Sequence, residues 1–497
     1  MQYAGMDAEA IRAKTLKAYG RDPDAVVELV LELIGQFEAR LGTLSARVVM
    51  LEAENATLRA KLNTNSRNSS KPPSSDGPGV KPHPKSLRTS TGLKPGGQPG
   101  HVGHTLRLVD DPNDVRVHAP SHCKNCGQGL EGVEATRVER RQVVEIPPIK
   151  PVVIEHQGQT KLCPACKEET SGQFPAGVEA PVQYGEGVEA LGVYLNQVQL
   201  LPLERTSEVM AEVFNCPVSE GTLESFVAEC YEQLGETEAA IKRGIEQAVV
   251  VHFDETGMNV SAKTNWLHVA STAALTYYAG QKKRGREALD AIGILPKFLG
   301  TAVHDGLTSY WRYLTCQHAL CNAHHLRELT FVEEQLEQDW AKEAKELLLE
   351  IKQAVAEAVA RGQESLSAEV RQRFGSRYDA ILEKGLKANP PPEPTGERGR
   401  PKRGKAGSLV DRLREHKGAT LAFMEDFAVP FDNDQAERAL RMPKLHNKIS
   451  GCFRTDNGLS LFCRIRGYTS TLRKQGVPIL PALRDAIAGH PPMPATT

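Results

Sequence analysis

Three short segments, far apart in the chain, each deliver a carboxylate from an apolar run or a helix start, and together they constrain the fold most. Residues 248–257 read Ala-Val-Val-Val-His-Phe-Asp-Glu-Thr-Gly. Three valines and Phe253 suit a strand buried on both faces, closed by Asp254 and Glu255. Taken alone, that is a strand followed by a polar turn. Residues 298–310 repeat the pattern, an apolar run ending in Asp305 and Gly306. Residues 431–441, Phe-Asp-Asn-Asp-Gln-Ala-Glu-Arg-Ala-Leu-Arg, hold good helix formers, with Asp432 or Asp434 placed to cap the start and Glu437 four residues before Arg441. Two Asp at strand ends and one Glu on a helix make an all-oxygen site suited to Mg²⁺ or Mn²⁺. Two such ions roughly 3.5–4 Å apart activate an attacking oxygen and stabilise a leaving oxygen at phosphorus.

The order Asp-Glu-Thr-Gly, His-Asp-Gly-x-x-x-Tyr, Cys-x-x-His-x-x-Arg-Glu and Asp-Asn-x-x-Ala-Glu-Arg-x-x-Arg resembles the transposases of the insertion-sequence-sixty-six family, over about residues 65–476. The resemblance implies an RNase H-like core with an Asp-Asp-Glu triad, on whose positions Asp254, Asp305 and Glu437 fall. It also implies a zinc-binding domain.

The net charge is −1, so no global field favours a polyanion. The charge is uneven, however. Residues 66–107 carry seven Lys and Arg against one acid, residues 396–417 eight against three, and residues 438–474 nine against one. DNA contacts are therefore expected locally, at Lys71, Lys94, Arg438, Arg441, Lys444, Lys448, Arg454, Arg464 and Arg466. No apolar run approaches the ~20 residues of a membrane span, and no signal-peptide pattern opens the chain. With four of ten cysteines in Cys-x-x-Cys pairs, a reducing, cytoplasmic and nucleoid-associated setting is expected.

Val27, Ile34, Leu41, Val48, Asn55 and Leu62 repeat every seven residues, as do Val30, Phe37, Leu44, Leu51 and Leu58. These heptads predict a coiled coil, and Asn55 in an otherwise apolar seam argues for a parallel dimer held by Leu44, Leu51 and Leu58. An amphipathic helix packed within the chain is the other reading. Residues 66–105, rich in Ser, Pro, Gly and Lys, read as a linker, either a spacer or a tether tracking phosphates.

Cys123, Cys126, Cys163 and Cys166 form two knuckles 36 residues apart, with strand-like runs at 137–146 and 152–157 between them. Two knuckles joined by a hairpin predict a zinc ribbon whose four thiolates leave the metal a structural role. His122 and His156 are bystanders. Residues 206–214 and 222–234 flank Pro217 like a helix-turn-helix. Glu220, Glu224 and Glu229 make the second helix acidic, so the pair is read as supporting the core. His304 is either structural or a neighbour tuning Asp305. Cys321 and His324 supply only two evident ligands and are read as supporting the site. The 132 residues from Asp305 to Glu437 imply a helical insertion.

The expected architecture is a multidomain α/β chain. It comprises a coiled coil (1–64), a basic linker (65–110), a zinc ribbon (111–180), a helical domain (181–246), an RNase H-like mixed-sheet core (247–330 and 426–497) and a helical insertion (331–425). The expected activity is metal-dependent cleavage and strand transfer at the ends of an insertion sequence, with Zn²⁺ as a structural metal. The partners would be DNA, a second copy and accessory proteins of the same element. The alternatives are a nuclease without strand joining and a zinc-ribbon regulator with an inactive core.

Overall fold

A computed structural model describes residues 8–65, 67–69, 96, 98, 100–102, 106–391 and 403–496. Lys71 and Lys94 lie outside them. Helix α1 (Ala8–Tyr19) leads into α2 (Pro23–Leu62), a helix of 40 residues. Pro23 needs no N–H donor at this position, and the Asp22 side chain accepts from Asp24 and Ala25 N–H. The heptad residues stay exposed on the single chain, Leu44 at 58%, Leu51 at 55% and Leu58 at 51%, with Asn55 among them. Besides its packing with α1, α2 is anchored at its C-terminal end. Ala60 is buried against the helical insertion, Asn63 donates to Gln335, and Arg67 pairs with Glu334.

Strands β1 (Thr160–Leu162) and β2 (Glu169–Ser171) pair around the second Cys knuckle. That corrects the hairpin expected from 137–146 and 152–157, where no strand forms. Val143, Val152 and Val153 are 87–90% exposed, so pairing there would cover no apolar face, and no knuckle turn brings these runs together as one does for β1 and β2.

Helices α3 (Glu186–Val193), α4 (Leu203–Glu212), α5 (Glu220–Gln233) and α6 (Gly235–Glu246) follow. Ser219 caps α5, accepting from Thr222 N–H. Leu223, Phe226, Val227 and Cys230 of α5 are buried against helices from the C-terminal end of the chain, while Glu220, Glu224 and Glu229 are exposed. This pair therefore braces the core, as its acidity suggested.

The sheet comprises β3 (Val250–Val260), β4 (Lys263–Ser271) and β5 (Thr276–Gln281), then, after α7 (Arg286–Ile292), β6 (Thr301–His304) and β7 (Gln317–Leu320). Its order is β5-β4-β3-β6-β7, with the first three strands antiparallel and β3, β6 and β7 parallel. Strand β7 was not anticipated: four residues are too few to show a period. Helices α8 (Asn322–Leu336), α9 (Asp339–Ala360), α10 (Ala368–Ala388), α11 (Lys405–Glu415) and α12 (Lys417–Glu425) build a core of their own around Trp340, Leu348, Phe374 and Tyr378. The chain then returns through α13 (Asp434–Ile449), α14 (Asp456–Lys474) and α15 (Ile479–Ile487).

One face of the sheet packs Val251, Phe253 and Ala302 on Ile241, Ile245, Leu289 and Phe298. The other packs Met258, Val260, Leu267 and Val269 on Ala436, Leu440, Phe453 and Phe462 of the returning helices. Pro443 lies inside α13 and has no N–H to offer Ala439. The Tyr278 hydroxyl donates to that carbonyl instead, at 2.7 Å, so the helix's weak point is also where the sheet fastens it.

Where β3 turns beside β6, Gly300 sits against backbone. A Cβ there would lie 2.4 Å from the Val249 carbonyl oxygen and 2.6 Å from that of Ala248. Gly257 of the Asp-Glu-Thr-Gly motif would meet only Thr264, at 3.8 Å. Gly300→Ala is therefore expected to destabilise by more than about 2 kcal/mol and Gly257→Ala by less than about 0.5 kcal/mol, read by urea unfolding. Equal midpoints for the two would remove this account of the β3–β6 junction.

Candidate functional site

Strand β3 does not stop at Asp254. It continues to Val260 with β4, but its parallel pairing with β6 covers only Val250–His252. Asp254 thus stands just beyond the point where β6 ends, and Asp305 directly follows β6. Successive residues of β3 point to opposite faces. Asp254 takes the α13 face with His252 and Met258, whereas Glu255 takes the face of Val251 and Phe253.

Carboxylate oxygens of Asp254, Glu255 and Asp305 all lie within 4.8 Å of one another. Glu255 is fully committed. Its Oε1 accepts from Arg284 Nε at 2.8 Å and its Oε2 from the buried Tyr310 hydroxyl at 2.7 Å. Asp254 and Asp305 each accept one nearby backbone N–H, from Glu255 at 2.8 Å and Leu307 at 3.1 Å. Among the described residues nothing donates to the second oxygen of either. Burial, with the charges of Glu255 and Asp305, pushes the Asp254 carboxyl up to about 7. Burial, then Asp305, also raises Glu255, against the pull of Tyr310 and Arg284. Crowded, desolvated carboxylates with free oxygens are a donor set that fits a hard divalent cation.

The turn carrying Asp305 is held by a relay of neutral imidazoles. Gly306 N–H donates to His304 Nδ1 at 3.0 Å, so His304 Nε2–H donates to His318 Nδ1 at 3.0 Å, and His318 Nε2–H to the Tyr313 carbonyl at 2.9 Å. Burial lowers the pKa of both histidines. Gly306 has φ +91°, a conformation that only glycine adopts without strain. His304 is thus structural, orienting Asp305 through the turn.

Glu437 lies in the first turn of α13. Its Oε1 is 3.7 Å from His324 Nδ1 and 3.8 Å from an Arg327 nitrogen, both on α8. Burial raises its carboxyl, and Arg327 opposes. The Cys-x-x-His-x-x-Arg spacing puts Cys321 at the N-cap of α8 with His324 and Arg327 one turn apart. Cys321 Sγ, His324 and Glu437 form a second group within 4.8 Å. The two groups share a field: Lys444 acts on Asp254, His324 and Glu437, and Asp305 acts on His324. Neither Asp432 nor Asp434 caps α13. Asn433 holds that position, and Asp432 accepts the Asp434 N–H instead.

Asn433 was not singled out in the sequence, although it sits in the Asp-Asn motif. It is 1% exposed. Its Oδ1 accepts from His252 Nδ1, its Nδ2 donates to the Phe253 carbonyl, both at 2.8 Å, and its N–H donates to Cys321 Sγ at 3.1 Å. Tyr310 and Arg284 were likewise missed as partners of Glu255.

Arg441, Lys444 and Lys448 are exposed on the face of α13 that begins with Glu437, at positions four, seven and eleven residues on. Arg438 and Arg454 are exposed elsewhere. Arg464 and Arg466 are corrections. Arg464 donates to Glu238 and the Tyr231 carbonyl, and the 3% exposed Arg466 donates to the Val198 carbonyl. Both brace α14 from inside because that helix is buried on nearly every side.

Each Cys-x-x-Cys closes as a knuckle. Gly127 N–H returns to the Cys123 carbonyl and Lys167 N–H to that of Cys163, with φ +76° and +62°. Backbone N–H groups from inside each turn lower the Cys123 and Cys163 thiols, a preparation for thiolate that fits zinc.

A family model described as the transposase IS66 family matches residues 181–460, more than half of the 497-residue chain. The chain belongs to the IS66 transposase family. A second model, the zinc-finger binding domain of transposase IS66, matches residues 120–167, which hold both knuckles. A third, a family of unknown function, matches residues 21–107. Comparison with the curated proteins gave no match. This IS66-family chain carries the DNA-binding and zinc-finger character of a transposase. No helix of the described residues is long and apolar enough to cross a membrane.

A raised carboxyl is a penalty of folding that grows as pH rises from its ordinary value, 3.8, to its value in the fold, about 7. Asp254→Asn removes it. The variant is expected to melt several degrees above the parent at pH 8 without metal, by up to about 4 kcal/mol, with the gap closing by about pH 4. Mg²⁺ should raise the melting point of the parent and not that of the variant. Parallel melting curves of parent and variant across this range would contradict the crowded-carboxylate account.

Proposed function

We propose that the chain is a DDE transposase with an RNase H-like core, in which Asp254, Asp305 and Glu437 form the catalytic triad. The observation that supports this reading is the convergence of Asp254 and Asp305, with Lys444, on the helix that bears Glu437, close enough to act on both Asp254 and Glu437. The sheet order, three antiparallel strands and then two parallel ones, supports the fold assignment.

Asp254 and Asp305, with Glu437, would hold Mg²⁺ or Mn²⁺, which supplies a lowered pKa for the attacking oxygen and charge compensation at phosphorus. The chain's own residues supply position. Glu255, locked by Arg284 and Tyr310, holds the strand so that Asp254 takes the α13 face. The histidine relay sets the Asp305 turn, and Asn433 sets Glu437 against β3. Arg441, Lys444 and Lys448 lead away from Glu437 as a row of cations able to seat consecutive DNA phosphates. Water would cleave at an element end, and the freed 3′-hydroxyl would attack target DNA. Each step exchanges one phosphoester oxygen for another, so no covalent enzyme–DNA intermediate is required. The zinc knuckles and basic segments would bind element ends, and the exposed heptad seam of α2 would pair with a second copy.

Glu437→Gln, Asp254→Asn and Asp305→Asn are each expected to lower end cleavage and strand transfer by at least about a hundredfold. End binding in gel-shift assays should persist, because the cations that bind backbone are untouched. Asp434→Asn, whose side chain pairs with exposed Arg438 at 3.2 Å, should keep most activity. Activity surviving Glu437→Gln and lost in Asp434→Asn would move the third carboxylate one turn along the chain. Cleavage without joined products would make the protein a nuclease.

The zinc knuckles have their own test. Cys163→Ser should lower zinc content by about one ion per chain and weaken end binding while the sheet domain stays folded. An unchanged zinc content would exclude the Cys123–Cys166 set as the ligand.

A further inference from the structure

We propose that Cys321, His324 and Glu437 form a second transition-metal site, separate from the zinc knuckles, that takes a thiophilic divalent cation of the Zn²⁺ class. Two helix starts meet there. Cys321 is the N-cap of α8, His324 lies in its first turn, and Glu437 lies in the first turn of α13. One sulfur, one imidazole nitrogen and one carboxylate oxygen come within 4.8 Å of one another.

Three features point to a ligand rather than to packing. His324 Nδ1 is buried and has no hydrogen-bond partner, although it faces Glu437 Oε1 at 3.7 Å. A buried imidazole nitrogen left unsatisfied is costly unless something fills it. Cys321 Sγ accepts the Asn433 backbone N–H at 3.1 Å, the type of outer support that steadies a thiolate ligand. Access is one-sided: Cys321 is 1% exposed, while the side chains of His324 and Glu437 are 21% and 31% exposed. An ion can therefore enter past the imidazole and carboxylate and reach sulfur last. Three protein donors leave the fourth position of a tetrahedral ion for water or a substrate oxygen.

The mixed sulfur–nitrogen–oxygen set selects Zn²⁺ or Co²⁺ over Mg²⁺, which prefers all-oxygen sites. Binding displaces the thiol proton and releases Glu437 from Arg327, now 3.8 Å away. Arg412, the other cation close to this corner of α8, is already paired with Glu328. Lys444, the remaining cation nearby, is exposed and free to swing outward. An ion held here would withdraw Glu437 from Asp254 and Asp305, so soft metals would compete with the hard-metal chemistry.

The site is read without DNA, so its failure leaves the strand-transfer proposal standing, and the reverse holds too. Full-length protein is equilibrated with Zn²⁺ in excess Mg²⁺, desalted and assayed for metal and protein. About two zinc ions per chain are expected, one of them on the four knuckle cysteines. Cys321→Ser keeps an acceptor for the Asn433 N–H but is a poor zinc ligand, and should retain about one ion. His324→Gln should do the same, and serves if Cys321→Ser fails to fold. Asp254→Asn should keep both ions. With Co²⁺, the difference spectrum between parent and Cys321→Ser should show thiolate-to-metal charge transfer. One zinc in the parent, or two in both Cys321→Ser and His324→Gln, would overturn the proposal. Loss of the second ion in Asp254→Asn would also overturn it, by placing that ion on the aspartates.

Discussion

A single buried amide ties the site together. Asn433 bonds to the side chain of His252 and the carbonyl of Phe253, and its N–H meets the sulfur that starts α8. Strand β3, the first insertion helix and the returning helix α13 are thus joined at one residue, from segments some 110 to 180 positions apart. A buried Asn with its donors and acceptor matched fixes register as well as contact, because any slip leaves unpaired polar groups behind. The orientation of Glu437, four residues on, depends on that anchor.

Adjacent carboxylates on one strand meet opposite fates. Glu255 faces an ion pair and a buried hydroxyl, so its charge is compensated within the protein. Asp254 keeps one oxygen free, and burial beside like charges raises its carboxyl to about 7. Negative charge is concentrated there in a form that a cation relieves. Nothing in the dipeptide Asp-Glu distinguishes the two; the alternation of the strand and what lies on each face do.

What lies on each face also separates the basic residues. Arg441, Lys444 and Lys448 share an exposed helical face with Glu437, whereas Arg464 and Arg466 belong to a helix wrapped by other helices and spend their donors on Glu238, Tyr231 and Val198. A count of nine cations against one acid over 438–474 describes the composition of this region but not which charges reach solvent. On α2 the pattern and the structure agree in one respect: the heptad leucines lie on a continuous helix and remain uncovered by the chain that bears them.

Much was legible in the sequence because it depends on near neighbours. The apolar runs that end at Asp254 and Asp305, the helix carrying Glu437, the Cys-x-x-Cys knuckles and the helical nature of the insertion all follow from local periodicity, capping and turn chemistry. Asp254 and Asp305, each closing an apolar run, were legible as strand-end carboxylates, and the fold brings those two together. Tertiary structure decided the rest. It showed that the runs at 137–157 have nothing to pair on, and that Asn433, rather than Asp432 or Asp434, governs the start of α13. It turned Glu255 toward Arg284 and Tyr310, and it brought the Glu437 carboxylate to Cys321 and His324 from a distant segment of the chain. These outcomes turn on which distant side chains share a buried volume. Burial and hydrogen-bond satisfaction are properties of the assembled core, and local sequence does not specify them.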